Sequence, residues 1–309
     1  MKEFLFAVPV VILLVAASGC VTQTTGSGSG IVIESFRTDF SDVMSGEDMQ
    51  IYLKFRNTGP FDAEHIKVTL MNVFDEGRTS PLTCSHGCRD IDKLAAAKPD
   101  QGTQGESMEC VWSCEAPDIP AGVKVTYNPR ARVAYVYRSN IARSITLASQ
   151  DEVKKAQDSG KTLPNDIVAK AQGPVSLDIT LLSPVRYFKD QNRIIIPVSV
   201  DVSNSGSGTI CYPDCEDSGN WDMVSISQEY ANSDVGFYDC DVGDNSIDGY
   251  PIEVWQGKAR SIRCDIRIEN MPEGFGFTRK TVNLKADYGY FVDAQTSFSV
   301  TGIENEPLI

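Results

Sequence analysis

Alternating apolar and polar positions run along much of the chain and predict β-strands. In the clearest case, Met49, Ile51, Leu53 and Phe55 alternate with polar or charged neighbours, which is the period of two expected of a strand with one buried face. Strands of this kind pack one face of a sheet on a core. The pattern therefore predicts an all-β protein built from sandwiches. The same period occurs at 49–56, 66–70, 194–203 and 282–290.

The two halves of the chain repeat each other. Three blocks match in the same order: LKFRNTG (53–59) with VDVSNSG (200–206), SMECVWSCEAPDIPAG (107–122) with SIRCDIRIENMPEGFG (261–276), and ARVAYVYRSNIARSITL (131–147) with LKADYGYFVDAQTSFSV (284–300). A repeated order of this kind indicates two copies of one supersecondary unit. We predict tandem β-sandwich modules at 31–148 and 174–301, followed by a tail at 302–309.

Between the two modules, residues 149–173 change character. The stretch is polar, lacks aromatic residues and contains helix formers interrupted by Gly160 and Pro164. It predicts a partly helical linker.

The N-terminus has the features of an export signal. Lys2 precedes an apolar run from Phe4 to Ala17, which is shorter than the roughly 20 residues that span a bilayer and typical of a secretory signal. The small residues before Cys20 resemble a lipoprotein signal. This resemblance implies a signal peptide with its lipobox at 1–20, and a mature chain that begins at a lipidated Cys20. The following Gly/Ser/Thr-rich residues 21–30 predict a flexible tether. A plain secretory signal and a short uncleaved anchor helix are the alternatives.

Eight further cysteines divide evenly between the modules. Behind an export signal, four cysteines per module predict two disulfides in each. A zinc site is the alternative, because two CxxxC pairs could supply four thiolates. The cysteines are Cys84, Cys88, Cys110, Cys114, Cys211, Cys215, Cys240 and Cys264.

Strand geometry restricts the pairing in the first module. Cys110 and Cys114 share one face of a predicted strand, about 13 Å apart at roughly 3.3 Å per residue, whereas bridged Cα atoms lie within about 7 Å. Their partners should therefore be Cys84 and Cys88. An antiparallel return gives Cys84–Cys114 and Cys88–Cys110, which we favour over the parallel alternative.

For the second module, the repeat aligns Cys264 with Cys110. We therefore expect Cys264 to bond to Cys211 or Cys215, with Cys240 taking the other.

These features together resemble a known class of module. A strand that ends in Asn-x-Gly, a second alternating strand and a late Tyr-x-Tyr strand are similar to CARDB-type, immunoglobulin-like modules of archaeal and bacterial surface proteins. The resemblance implies a sandwich used for adhesion, spacing or display, with no general catalytic residues. The cysteine-bearing insertions at 80–115 and 209–264 depart from the simple module.

Charge narrows the range of partners. The net charge is -14, which argues against a nucleic-acid partner, since phosphate binding needs a basic face. Residues 211–257 hold eleven acidic residues and no Lys or Arg. Four carboxylates within this segment could bind calcium, which prefers clustered oxygen ligands, or could belong to a solvated turn-rich loop. The candidates are Asp239, Asp241, Asp244 and Asp248.

Catalytic motifs are missing from the sequence. His65 lies beside a predicted strand and is expected to face solvent, and His86 lies in a cysteine-flanked loop. No GxSxG, HExxH or P-loop motif occurs. Aromatic residues in the acidic segment suggest a small second core or, alternatively, a binding face for sugars or proteins: Tyr212, Trp221, Tyr230, Phe237, Tyr238, Tyr250 and Trp255.

The sequence thus predicts a non-enzymatic surface protein, lipid-anchored to the outer face of the cytoplasmic membrane. It would act in adhesion, spacing or envelope assembly, with other surface proteins or glycans as possible partners and no cofactor other than calcium. The alternatives are a cation- or small-ligand-binding module that uses the acidic insertion, and a carboxylate-dependent hydrolase or its accessory subunit.

Overall fold

A computed structural model describes most of the chain, and strands dominate it. The described residues are 30–74, 81–85, 87–88, 91–187, 193–229, 234–243, 245–269 and 276–303. Cys20, His86, Tyr230 and Asp244 lie outside them. No helix among these residues has both the length and the apolar character needed to cross a membrane.

The predicted all-β fold is confirmed. The first module contains β1 (Ile31–Thr38), β2 (Asp42–Met44), β3 (Asp48–Asn57), β4 (Ala63–Met71), β5 (Thr83–Cys84), β6 (Ile91–Leu94), β7 (Ser107–Glu115), β8 (Lys124–Tyr127) and β9 (Arg130–Ser149). After α1 (Gln150–Asp158) and β10 (Ile167–Ala171), the second module contains β11 (Val175–Thr180), β12 (Val185–Tyr187), β13 (Ile194–Asn204), β14 (Thr209–Cys211), β15 (Met223–Gln228), β16 (Val235–Tyr238), β17 (Tyr250–Glu253), β18 (Ala259–Ile268), β19 (Phe277–Gln295) and β20 (Phe298–Thr301). Short 3-10 helices lie at Pro99–Gln101 and Ser218–Asn220.

Each module contributes one four-stranded sheet, and the two modules share a larger one. Among the described residues, the small sheets have the orders β1-β3-β7-β5 and β11-β13-β18-β16. The shared sheet has the order β17-β15-β19-β9-β4-β6, and β10, β12 and β14 pair along its two central strands. β2, β20 and β8 form a small fourth sheet. The alternating residues predicted to face inward are buried, for example Met49, Ile51, Leu53 and Phe55.

The central pair β9 and β19 relates the modules by an approximate twofold axis. These strands are antiparallel over nearly their full length, with Tyr135 opposite Tyr290 and Tyr137 opposite Tyr288. The sequence repeat equates Tyr135 with Tyr288 and Tyr137 with Tyr290. The two cross-strand pairs therefore exchange under a rotation about the Val136–Gly289 pair. All four tyrosines are buried next to the axis.

Asn57, at the end of β3, holds the loop that follows this strand in the first module. The Asn57 side chain is fully buried and donates to the carbonyls of Phe61 (2.8 Å) and Leu94 (3.0 Å). Its Oδ1 accepts from the Gly59 amide (3.1 Å), and the Tyr137 hydroxyl lies 3.4 Å away. A buried side chain that satisfies several backbone groups specifies one loop geometry.

The second module repeats this arrangement. Asn204 donates to the Gly208 carbonyl (2.9 Å) and accepts from the Gly206 amide (3.2 Å) and from the Tyr290 hydroxyl (2.9 Å). The Asn-x-Gly and Tyr-x-Tyr motifs of the sequence repeat are therefore the two halves of one hydrogen-bonded unit, present once in each module.

The linker is only partly helical. Ser149 caps α1 by accepting from the Glu152 amide (3.3 Å), and the helix buries Val153 and Ala156 against the body. The segment then continues as β10, which pairs with β9. The polar sequence of 149–173 did not indicate this strand. β9 extends to Ser149, and one sheet contains strands of both modules. The sheet therefore does not mark a division of the chain, and the module boundaries at 148 and 174 stay predictions.

A largely buried ion pair holds the linker to β9. Asp166 and Arg143 approach to 3.0 Å, with side-chain exposures of only 6% and 15%. Burial opposes ionisation of Asp166. However, the Ser183 hydroxyl, the Thr146 amide and the Arg143 guanidinium stabilise the carboxylate and lower its pKa below the ordinary value. The ionised pair thus fixes the position of the chain just before β10.

Candidate functional site

All eight predicted disulfide cysteines are bonded, two pairs in each module. In the first module the pairs are Cys84–Cys114 and Cys88–Cys110, with Cα separations of 4.0 and 5.2 Å. β5 pairs antiparallel with β7 and places Cys84 opposite Cys114. This confirms the prediction that the segment with Cys84 and Cys88 runs antiparallel to the strand with Cys110 and Cys114. No thiol among these eight is left for zinc or for nucleophilic chemistry.

The pairing predicted for the second module is wrong. The bonds are Cys211–Cys215 and Cys240–Cys264. Cys211 ends β14 on the shared sheet, whereas Cys264 belongs to β18 on the opposite, four-stranded sheet. The two cysteines therefore lie on different sheets and are not strand neighbours. β16 pairs with β18, and Cys240, which directly follows β16, therefore lies next to Cys264. In the second small sheet, β16 thus occupies the place that β5 has in the first.

A groove lies on the outer face of the shared sheet where the modules meet. We call it the junction groove; it has a volume of about 330 Å³. Its floor contains Ala134, Val136 and Gly289 from the central strands. His65 and Lys67 of β4 line one side, and the disulfide loop 213–216 lines the other.

The twofold relation explains why the groove lies here. In the first module, Glu64 of β4 pairs with Val136 of β9. The pairing of these two strands is then interrupted before Lys67 by a bulge at His65, whose φ is +52°. In the second module, Cys211 pairs with Gly289, and the chain leaves the sheet for an inserted loop before returning as β15. The bulge and the insertion therefore occupy equivalent positions on either side of the axis, and the groove separates them.

Gly289 permits the disulfide loop to lie close to the sheet. A Cβ atom at this position would come within 2.9 Å of both the Cys211 and Cys215 sulfurs, closer than real Cβ contacts allow. A side chain at residue 289 would push the loop outward and change the shape of the groove.

The charges that border the groove are paired, and one pair joins the two modules. Lys67 of the first module and Glu216 of the second form an ion pair at 2.5 Å. Arg132 binds Asp293 through two hydrogen bonds of 2.9 Å and lies 3.7 Å from the centre of the Phe291 ring. Between these charges the floor is small and apolar, and Val136 is 37% exposed. The combination suits binding through an apolar contact flanked by polar groups.

Three groups of the junction groove are of types that can take part in catalysis. His65 is exposed, as predicted, and Cys215 is disulfide-bonded. The Tyr135 phenol has its pKa raised well above the ordinary value by burial. It therefore stays neutral under the groove and donates or accepts hydrogen bonds only.

The candidate calcium ligands do not converge in the described part of the chain. Asp241 accepts from the Arg263 amide of β18 (2.9 Å) and Asp248 accepts from the Gln228 amide of β15 (3.1 Å), so each binds its loop to a neighbouring strand. Asp239 is exposed with a φ of +48°. Within the described residues, no group of three or more His, Cys, Asp or Glu could hold a metal. Because Asp244 lies outside them, the four-ligand site stays a prediction.

The aromatic residues of the acidic segment divide between the interior and the surface. Phe237 is buried, as the core interpretation predicted. Trp221, Tyr250 and Trp255 are exposed, with Trp255 at 73%. Trp221 packs on Phe291 next to Arg132. The sequence analysis did not single out Lys67, Arg132 or Glu216, because no local motif joins residues from distant strands.

Comparisons with known proteins do not assign a family. No family model and no curated protein matches the chain. Among solved structures, the chain is similar to the secreted serine protease VesC from Vibrio cholerae (9% identity, TM-score 0.22, covering 84% of this chain and 50% of that one). It is also similar to the Yersinia pseudotuberculosis adhesin InvE (11%, 0.17, 85% and 58%) and to the Enterococcus faecalis MSCRAMM ACE (8%, 0.10, 88% and 95%). The chain thus spans about half the length of the first of these, and likeness at these scores carries no argument about function.

Proposed function

We propose that this chain is a non-enzymatic surface protein, anchored in the membrane by lipid on Cys20, that mediates adhesion through its β-sandwich body. The four disulfides carry the proposal. Such bonds form and persist in oxidising, extracytoplasmic compartments. The lipoprotein-like residues before Cys20 supply the anchor, and stable anchoring requires two lipid signals rather than one.

The junction groove favours adhesion over a purely spacing role. A spacer needs only rigid modules, whereas this groove exposes an apolar floor between paired charges at the contact between modules. Exposed apolar surface with a polar rim is typical of interaction sites.

Anchoring is tested by fractionation of cells that express the full chain. The wild type should be found in the membrane fraction and should be labelled by a membrane-impermeant biotin reagent. Cys20→Ser should be released from the membrane, whereas the tether variant Ser27→Ala should behave as the wild type. Retention of Cys20→Ser in the membrane would contradict lipid anchoring.

The adhesive role is tested by coating beads with the protein and measuring their attachment to arrays of immobilised glycans and extracellular peptides. Val136→Arg should reduce attachment by filling the groove floor. Val111→Arg is the matched control, because Val111 on β7 is 36% exposed against 37% for Val136. Equal attachment by both variants would exclude the groove, and turnover of any arrayed substrate would contradict the non-enzymatic assignment.

A further inference from the structure

β17, which stands at one edge of the shared sheet, leads into a tight turn before β18 begins. The Lys258 amide donates to the Trp255 carbonyl (3.0 Å). Gln256 and Gly257 both have positive φ, +51° and +62°, which is typical of the tightest hairpin turns. The turn therefore has a defined shape. We call residues 254–258 the tryptophan turn.

The turn presents an indole to solvent. Trp255 is 73% exposed, whereas Val254 before it is fully buried. Because side chains alternate along an extended chain, Trp255 points outward on the same side as Glu253, which is also exposed. Tryptophan has a large apolar face and is enriched among the residues that carry binding energy.

The fold itself does not require an aromatic residue in this turn. β6 of the first module occupies the opposite edge of the shared sheet, and β7 has the place in its small sheet that β18 has in the other. The connection from β6 to β7, residues 95–106 (AAAKPDQGTQGE), contains no aromatic residue. The first module thus makes the equivalent connection without an indole.

A carboxylate without a protein partner lies beside the turn. The Asp222 amide donates to the Ile210 carbonyl (2.8 Å), and the Asp222 carbonyl accepts from the Val254 amide (2.6 Å). A Cβ atom at Gly257 would come within 2.5 Å of Asp222 Oδ1, so the carboxylate lies against the backbone of the turn. Burial first, and then the charge of Glu253, raise the pKa of Asp222 above its ordinary value.

This carboxylate favours a ligand that donates hydrogen bonds. Within the described part of the chain, no hydrogen bond or ion pair engages the side chain of Asp222 or of Glu253. A carboxylate that is partly withdrawn from water costs free energy until a donor satisfies it. A ligand with several hydroxyl groups would supply such donors.

The charges around the turn balance, and this narrows the class of ligand. Asp222 and Glu253 supply two carboxylates, and Lys258 and Arg260 supply two cations. Arg260 lies next to the turn, since its guanidinium donates to the Glu253 backbone carbonyl (3.4 Å). Neither a cationic nor an anionic ligand gains from a surface without net charge. A neutral ligand suits it, provided that its groups both donate and accept.

We propose that the tryptophan turn, together with Asp222 and Glu253, binds a neutral saccharide chain. The apolar C–H face of one sugar ring stacks on the Trp255 indole. Sugar hydroxyls donate to the two carboxylates and accept from Lys258. None of these residues lines the junction groove, so the inference does not depend on the adhesive role of that groove.

The test uses the full chain and soluble hexasaccharides. The panel contains the neutral hexasaccharides of glucose, mannose, galactose and N-acetylglucosamine, and the cationic hexasaccharide of glucosamine. Affinity is measured by calorimetry, and the site is located by hydroxyl-radical footprinting. We expect at least one neutral hexasaccharide to bind saturably and to protect Trp255 from oxidation. The glucosamine hexasaccharide should bind more weakly than the best neutral one.

Matched variants separate a specific site from general stickiness. Trp255→Ala should weaken binding at least tenfold, because it removes the stacking surface. Phe40→Ala should bind as the wild type does, since Phe40 is also strongly exposed, at 52%, but follows β1 in the first module. Asp222→Asn keeps the shape of the side chain and tolerates the positive φ, and loss of the charge should weaken binding several-fold. Val136→Arg should leave saccharide binding unchanged.

Four results would overturn the proposal. The first two are an absence of binding by every neutral hexasaccharide at millimolar concentration, and equal affinity of Trp255→Ala and Phe40→Ala. The third is tightest binding by the glucosamine hexasaccharide, which would make this a site for cations. The fourth is loss of binding in Val136→Arg, which would place the saccharide in the junction groove instead.

Discussion

Asn57 provides a sharp test of how the loop after β3 is held in the first module. In Asn57→Ala, the Gly59 amide and the carbonyls of Phe61 and Leu94 lose their side-chain partner. Each lost hydrogen bond inside the protein costs about 1 kcal/mol, so the free energy of unfolding should fall by about 3 kcal/mol. A change of 1 kcal/mol moves the melting midpoint by roughly 2–4 °C at this chain size, which predicts a decrease of roughly 6–12 °C.

Calorimetry or denaturant unfolding of the oxidised protein measures this change. Asn283→Ala is the control, because Asn283 is half-exposed on β19 and its side chain forms no hydrogen bond with the described residues. Asn204→Ala should fall between the two, since Asn204 repeats the Asn57 contacts but is more exposed. If Asn57→Ala were no less stable than Asn283→Ala, the asparagine would not hold the loop and the reasoning would fail.

Three further predictions concern charge, disulfides and calcium. Asp166→Asn should cost about 3 kcal/mol near neutral pH by leaving Arg143 without its carboxylate partner. Since the folded pKa of Asp166 is lowered, the difference from wild type should be complete above about pH 4 and disappear as the pH falls through the folded value; a constant difference down to acid pH would contradict this ion pair. Replacing Cys240 and Cys264 together by Ser should cost about 3.5 kcal/mol, because this bond joins residues separated by 24, and unchanged denaturant unfolding would argue against the bond. If the acidic segment binds calcium, melting curves with millimolar calcium and with chelator should differ by several degrees, whereas identical curves would leave only a solvated loop.

The sequence predicted features that repeat along the chain. Strict alternation identified β3, β13 and β19, because burial of one sheet face imposes a period of two. Strand spacing excluded a Cys110–Cys114 bond, and the favoured antiparallel return gave Cys84–Cys114. The Asn-x-Gly and Tyr-x-Tyr motifs marked the repeat, and the structure shows that their side chains bond to each other.

Features that depend on three-dimensional pairing escaped the sequence analysis. β10 has no alternation, because four of its five residues are exposed on an edge. The Cys240–Cys264 bond depends on which strand lies beside β18, and this is decided by sheet order rather than by spacing. The junction groove joins β4, β9, β19 and an inserted loop, which only the shared sheet brings together.

The central claim is that this chain matures in an oxidising compartment as two disulfide-braced modules. Non-reducing peptide mapping of protein purified from the cells that make it, after alkylation of free thiols, tests it most directly. The account predicts the linked pairs Cys84–Cys114, Cys88–Cys110, Cys211–Cys215 and Cys240–Cys264, with none of these eight cysteines alkylated. Alkylation of these cysteines, or any link between the modules, would contradict it.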